Sequence, residues 1–200
     1  MKQVYFKITA CLLAACFIGL AAHSQTVYDT IINRTDSILQ APVTTSSLNS
    51  NVASYLTTYQ SNGSFSDLDY TRTDIAFPEI AHVENRVMYF AMAYTRAGSN
   101  YYNSAGMYDT ILTALRFWYQ KNPAALNGVD WYYKQVRDPQ ALGRILCLMR
   151  QGTVGVPQSL QDSILDRINN LNPASSYTGS NIQSVAYHYI LGAALRQNST

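Results

Sequence analysis

Most signatures of catalysis and of nucleic-acid binding are missing from this sequence. Only 13% of its 200 residues are charged, and it contains three histidines and three cysteines. No His-Glu-x-x-His, Cys-x-x-Cys, Gly-x-Ser-x-Gly or glycine-rich phosphate-binding pattern occurs in it. The sequence therefore predicts no metal ion and no organic cofactor, and it gives no support to a thiol redox centre or a serine nucleophile.

Cysteine is scarce, and two of the three, Cys11 and Cys16, lie in an N-terminal segment with the layout of a secretory signal. Lysines precede an apolar stretch at 8–22, and Ala22-His23-Ser24 offers a small-x-small cleavage site before Gln25. We therefore expect residues 1–24 to be a signal peptide and residues 25–200 to be secreted or periplasmic. Cys147 would then be the single cysteine, which excludes an intrachain disulfide, and its aliphatic neighbours indicate a packed thiol.

The same segment also fits a lipoprotein signal. Leu13-Ala14-Ala15-Cys16 has the small-residue pattern that precedes a lipid-bearing cysteine, although the apolar stretch continues past it through Phe17-Ile18-Gly19-Leu20. Anchoring at Cys16 therefore stays open beside cleavage after Ser24. The apolar stretch is too short to predict a membrane span.

Charge is balanced once that segment is removed. Residues 25–200 contain twelve basic and twelve acidic residues, because the segment holds Lys2, Lys7 and no acid. A neutral chain does not favour non-specific binding of nucleic acid. With 48% hydrophobic residues, the sequence is apolar and long enough for one folded domain with its own core.

Apolar residues recur at helical spacing, and no segment shows sustained alternation. The pattern predicts an all-α domain with helices at 28–40, 48–59, 78–97, 104–121, 139–151, 157–171 and 182–197. Pro139 and Pro157 fit first turns, and the Asn-Pro steps at 122–123 and 172–173 indicate helix ends. Asp109-Thr110-Ile111-Leu112 recurs as Asp162-Ser163-Ile164-Leu165, and a period of two helices and two loops is typical of a helical-hairpin array. A plain helical bundle is the alternative.

Four motifs follow one another in the second half of the chain. They are the helix end Phe117-Trp118-Tyr119, the loop Asp130-Trp131-Tyr132-Tyr133, the helix start Asp138-Pro139-Gln140-Ala141-Leu142-Gly143, and the turn Thr178-Gly179-Ser180-Asn181 that runs into Ala186-Tyr187-His188-Tyr189. With Gln60-Ser61-Asn62-Gly63-Ser64-Phe65, this order resembles the N-terminal helical domain of polysaccharide lyase family 8, which includes chondroitin AC, hyaluronate and xanthan lyases. The resemblance runs from about residue 51 to residue 195.

The resemblance implies an incomplete α/α toroid built from antiparallel helical hairpins. Family members are much longer and place a catalytic His, Tyr and Arg beyond the matched stretch. It therefore implies the front part of a lyase that cleaves uronic-acid polysaccharide of the chondroitin or hyaluronan type by β-elimination. The general base and acid are expected outside these residues, so we expect the 200-residue chain to be inactive by itself. The alternative is a non-catalytic glycan-binding or structural α-hairpin module.

Asn181 is the catalytic candidate, because the family carries an Asn in a Gly-x-Asn turn that faces the uronate carboxylate. An amide donates a hydrogen bond to a carboxylate without being titrated, and this lowers the cost of removing the neighbouring C5 proton. Asn181 also stands where the last helix is expected to start, so an ordinary N-cap is the structural alternative, and the two roles are compatible.

Trp131 and Tyr132 resemble the aromatic patch on which the family holds its acidic polysaccharide, because sugar rings stack on aromatic faces. The alternative is that they anchor a long loop to the core. Three positions depart from the family pattern, with Asp130 in place of Asn, Tyr132 in place of Trp and Gln135 in place of Glu. These departures leave the substrate within the family open.

The remaining polar candidates have structural interpretations. His82 and His188 lie in predicted helices and are interpreted as packed or hydrogen-bonded histidines rather than bases. Asp67, Asp69 and Asp74 lack the spacing of a calcium-binding loop and are interpreted as a solvated turn.

Overall fold

The computed structural model describes residues 27–71, 80–125, 131–169 and 177–197. In these ranges the chain is helical and forms no strand. Its elements are α1 (Val27–Gln40), α2 (Thr45–Leu56), the π-helix π1 (Ile80–Val87), α3 (Met88–Thr95), α4 (Ala105–Ala125), the π-helix π2 (Tyr133–Arg137), α5 (Asp138–Met149), α6 (Gln158–Asn169) and α7 (Ser180–Gln197). The all-α prediction is confirmed, and each predicted helix overlaps one of these α-helices. The predicted signal segment 1–24, Asp74 and Asp130 lie outside the described residues.

One row of helices runs in a single direction and consists of π1 with α3, π2 with α5, and α7. Early in α5, Gln140 Nε2 donates to Ser184 O at 2.8 Å, early in α7. Further along both helices, a Cβ atom on Gly143 would lie 3.1 Å from Leu191. The contacts between π1–α3 and π2–α5 also advance in the same direction along both segments, so these two members of the row are parallel as well. Gly143 therefore allows two parallel helices to approach closely.

The second row consists of α4 and α6, which run in the opposite direction. His82 in π1 bonds to Ala114 O at 3.0 Å, and the Tyr94 ring near the end of α3 lies 5.9 Å from the Tyr108 ring near the start of α4. Contacts between α6 and α7 show the same reversal. Antiparallel hairpins whose alternate helices are parallel are the arrangement expected of an α/α toroid.

The short internal repeat falls on the second row, with one copy in α4 and the other in α6. Its apolar residues are buried in both copies, namely Ile111, Leu112, Ile164 and Leu165. The recurrence therefore marks equivalent inward faces of two equivalent helices.

Helix α5 lies at the centre of the domain, in contact with α1, α3, α6, α7 and π1. From Ala141 to Met149 its residues are buried, with Arg144 alone half-buried. Burial raises the pKa of the Cys147 thiol to about 12. This thiol is therefore part of the core packing and is not a nucleophile at physiological pH.

The loop predicted at residues 131–133 is wrong, because Trp131 and Tyr132 are helical and π2 runs directly into α5. Pro139 has no N–H to continue an α-helical ladder. Just before it, the N–H of Asp138 bonds five residues back to Tyr133 O, as in a π-helix. The wider turn lets the helix continue through a residue that the sequence pattern marks as a start.

The helix end predicted at residues 122–123 is also wrong, because α4 continues to Ala125. Pro123 cannot donate to the carbonyl oxygen of Tyr119, four residues earlier. Arg167 Nη1 donates to that oxygen from α6 instead. A tertiary contact thus satisfies the carbonyl that the proline leaves without its helical partner.

The segment between α2 and π1 is held by specific contacts. Gly63 has φ +91°, and a Cβ atom there would lie 2.4 Å from Thr113 O, so this turn of the Gln60–Phe65 motif requires glycine. Asp67 lies in an exposed turn, as predicted, and its two carboxylate oxygens also accept from Arg86 at 2.7 and 2.6 Å. Asp69 does act within a local turn, because it accepts from the N–H of Thr71 at 3.0 Å.

Candidate functional site

An aromatic patch, which we define as Trp131, Tyr132, Tyr133 and Tyr177, lies at the end of the domain where the parallel row begins. Trp131 is 49% exposed, and its ring is stacked on Tyr177, with ring centroids 6.0 Å apart and an interplanar angle of 29°. Tyr132 meets Trp131 edge-on at 6.0 Å, and Tyr133 meets Tyr132 edge-on at 5.5 Å. About half of Trp131 thus remains accessible to a ligand.

Tyr177 is a member of this patch that the sequence analysis missed. Its hydroxyl donates to Gln135 Oε1 at 2.5 Å. Its ring forms a small hydrophobic cluster with Val136 and Val185, separate from the main core, with Tyr132 packed against the edge. The available signal was an aromatic residue directly before the Thr178–Asn181 turn, which helical periodicity does not detect.

Asn181 lies in the first turn of α7, after Gly179 with φ +59°. The helix begins at Ser180, so the N-cap interpretation does not fit Asn181 itself, which is helical and half-buried. Val185, one turn further along, packs in the small cluster with Tyr177. The start of α7 and the aromatic patch are therefore joined through the same group of side chains.

The segment that carries Trp131 and Tyr132 is also tied to the neighbouring hairpin. Arg137 in π2 forms an ion pair with Glu84 in π1, and its guanidinium lies 5.7 Å from the centre of the Tyr133 ring. The Glu84 side chain is only 16% exposed, so solvent screens this pair less than a surface pair. Helix π2 is thus held against π1 through Arg137 and against α7 through Val136.

Both histidines of the described residues are packed in the interior, as the sequence predicted. His82 is 2% exposed, and burial lowers its pKa to about 4. His188 is fully buried beside Tyr189, and burial likewise lowers its pKa to about 4. Each ring is neutral at physiological pH but inaccessible to a polysaccharide, so neither is a good candidate for the general base.

Among the described residues, no three His, Cys, Asp or Glu side chains come together as a set of metal ligands. None of the helices described has the length and apolar character needed to cross a membrane.

Two opposed rows of helices, with an aromatic patch at one end of the parallel row, define a helical domain of the α/α-toroid type. Residues 22–200 match the polysaccharide lyase family 8 N-terminal alpha-helical domain, and the chain belongs to this family. The resemblance inferred from the ordered motifs is therefore confirmed.

Three relatives illustrate the match. Chondroitinase-AC of Pedobacter heparinus is 33% identical over 103 residues, which are 52% of this chain and 14% of the relative. A solved chondroitinase AC lyase, studied as oligosaccharide complexes, superposes with a TM-score of 0.76 and 25% identity over 87% of this chain and 25% of that one. Paenibacillus xanthan lyase shares the fold, with a TM-score of 0.66 and 17% identity over 86% of this chain and 18% of that one. The chain thus spans a quarter or less of each relative.

Proposed function

We propose that these residues form the substrate-binding front part of an exported polysaccharide lyase, which cleaves chondroitin- or hyaluronan-type polysaccharide by β-elimination. The observation that carries the proposal is the half-exposed indole of Trp131, stacked in a patch that is joined to the start of α7. Membership of the family supports the reaction class, and the patch supports a role in holding sugar rings.

Asn181 is proposed to hydrogen-bond the uronate carboxylate next to the reacting carbon. Abstraction of the C5 proton places further negative charge on that group, and a donor already in place lowers the barrier. The first-turn N–H groups of α7 add to this effect, because the N-terminal end of a helix carries partial positive charge. A neutral amide in this position suits a polyanion that must bind and later leave.

The proton-transfer groups are proposed to come from a part of the lyase that these residues do not span. The two histidines available here are buried, and the thiol of Cys147 is buried in α5. The proposed division of labour therefore assigns sugar binding and carboxylate contact to this domain, and the general base and acid to other residues.

Export is proposed from residues 1–24, either with cleavage after Ser24 or with lipid attachment at Cys16. An extracellular or periplasmic location agrees with a polymeric substrate too large to enter the cell. It also agrees with a domain whose stability depends on its core and requires no disulfide.

The test is the binding of size-defined chondroitin oligosaccharides to the 200-residue chain, measured by intrinsic fluorescence and calorimetry. Trp131→Ala should weaken binding by about 5- to 150-fold, in keeping with about 1–3 kcal/mol for loss of a stacking platform. Tyr102→Ala is the matched control, because Tyr102 is 47% exposed and follows α3 at the opposite end of the row. Equal binding by both variants and the parent would refute the role of the patch.

A neutral dextran of similar length serves as the control ligand. If the site is built for a uronate, chondroitin should bind and dextran should not. Equal binding of both polymers would favour a general glycan-binding module over a lyase substrate site.

A further inference from the structure

The Trp131 ring is stacked on Tyr177, which comes from a distant part of the chain. Tyr177 is 9% exposed, whereas Trp131 is 49% exposed, and their rings are nearly parallel. A buried ring behind an exposed one limits the orientations that the exposed indole can take. The orientation of the indole face therefore depends on how firmly Tyr177 itself is held.

Tyr177 is held from two directions. Its hydroxyl donates to Gln135 Oε1 in π2 at 2.5 Å, which prevents rotation of the phenol away from this helix. Its ring packs with Val136 of π2 and Val185 of α7, each of which is 1% exposed. Tyr177 thus contacts the segment that carries the sugar platform and the helix that begins with Asn181.

We propose that Tyr177 is a positioning residue, which orients the Trp131 ring and couples the sugar-binding platform to the start of α7. The proposal rests on the function proposed above. A sugar stacked on Trp131 reaches Asn181 in the correct geometry only if the platform and the helix keep a constant separation. The Tyr177 ring supplies this link, because it is the stacked partner of Trp131 and also packs against α7.

Gln135 has a defined part in this arrangement. Its amide oxygen accepts the Tyr177 hydrogen without placing a negative charge in a patch that is to receive an acidic polymer. A carboxylate at this position would also accept the hydrogen, so Q135E should keep the position of the ring. Gln135→Leu removes the acceptor and should loosen it.

The test uses Trp131 as its own reporter and needs no carbohydrate. The chain has two tryptophans, and Trp118 is 6% exposed with an indole N–H that lacks a partner in the described part of the chain. Trp118→Phe therefore leaves Trp131 as the single indole and removes no described hydrogen bond. Acrylamide quenching and fluorescence anisotropy are then measured in this background.

Tyr177→Ala should lower the anisotropy of Trp131 and raise its quenching constant by about twofold or more, while Tyr177→Phe, which keeps the ring, should show a smaller change. Tyr102→Ala is the matched control, because it removes a tyrosine ring at the opposite end of the row and leaves the Trp131 stack and its cluster intact. Unchanged anisotropy and quenching in both Tyr177→Ala and Gln135→Leu would overturn the proposal. If Tyr177→Ala fails to fold, Tyr177→Phe and Gln135→Leu decide the question.

Chondroitin oligosaccharide binding separates this inference from the proposed function. Tyr177→Ala should weaken binding by about 2- to 10-fold, the range expected for one aromatic pair, and Tyr102→Ala should not. If Tyr177→Ala loosens the Trp131 indole but Trp131→Ala binds chondroitin normally, the sugar platform is refuted and the positioning role of Tyr177 is supported. Loosening of the Trp131 indole in Tyr102→Ala equal to that in Tyr177→Ala would overturn the positioning role.

Discussion

Protonation of His82 is expected to destabilise the domain. The ring Nε2 faces Ala114 O at 3.0 Å, so Nε2 carries the hydrogen, and Nδ1 accepts from the Tyr70 hydroxyl at 2.8 Å. The Tyr70 oxygen in turn accepts the N–H of Phe65 at 3.2 Å. A second proton on the imidazole would place two donors face to face and would put a charge inside the core.

The magnitude follows from the pKa of His82. Burial, and to a lesser extent the charge of Arg86, lower this pKa from 6.5 to about 4, against the opposing hydrogen bond to Ala114. Because the folded-state pKa is the lower one, the unfolded chain binds the proton first as the pH falls. The stabilisation is complete above pH 6.5 and is lost between that value and pH 4. Acidification from pH 7 to pH 5 should lower the free energy of unfolding by about 2 kcal/mol.

Urea unfolding at pH 7 and pH 5, followed by circular dichroism, measures this change. His82→Gln keeps a donor for Ala114 O but cannot titrate, so its pH dependence should be smaller than that of the parent by about 2 kcal/mol. His188→Gln is measured in parallel, because burial also lowers the pKa of His188. Acidification should therefore lower the free energy of unfolding through His188 as well. An unchanged pH dependence in His82→Gln would show that the ring titrates normally and would refute the argument.

Four further predictions concern the site, the fold and the termini. In a lyase that contains this domain, Asn181→Ala should lower kcat by roughly 10²–10³-fold, and full activity would remove Asn181 from the catalytic residues. Gly63→Ala should lower the free energy of unfolding in urea by about 3 kcal/mol or more. Gly98→Ala should lower it by only about 1 kcal/mol, because its φ is +84° but its Cβ would meet nothing within 4 Å. The purified 200-residue chain should release no unsaturated uronate from chondroitin by ultraviolet absorbance, and clear turnover would mean that the base has been misplaced. N-terminal mass spectrometry should find Gln25 first, whereas a lipid-modified Cys16 would replace the cleavage proposal.

Helix type and helix order were predictable because helical periodicity is a property of neighbouring residues. The pattern placed the seven α-helices of the described residues, and it marked Ile111 and Ile164 as equivalent positions, both of which are buried. The errors arose at Pro123 and Pro139, where a local rule marks a break or a start. Helix α4 continues because Arg167 serves the carbonyl of Tyr119, and α5 is preceded by a helix because a π turn accommodates Pro139.

The candidate site, like the fold, was only partly predictable from the sequence. Trp131, Tyr132 and Asn181 could be found from the order of the motifs, and the family match supports that order. The order alone did not show that Trp131 is helical, or that Asn181 lies inside the first turn of α7. It also left the roles of these residues as proposals.

The order of amino acids by itself determined the helical class, the hairpin period and the chemical nature of the candidate site. Only the tertiary structure decided that Tyr177 stacks on Trp131, that Arg86 binds Asp67, and that α5 and α7 run side by side in the same direction. These contacts join residues that are distant in the sequence. Periodicity and capping act within a few residues along the chain, whereas a distant partner is set by how complete helices pack.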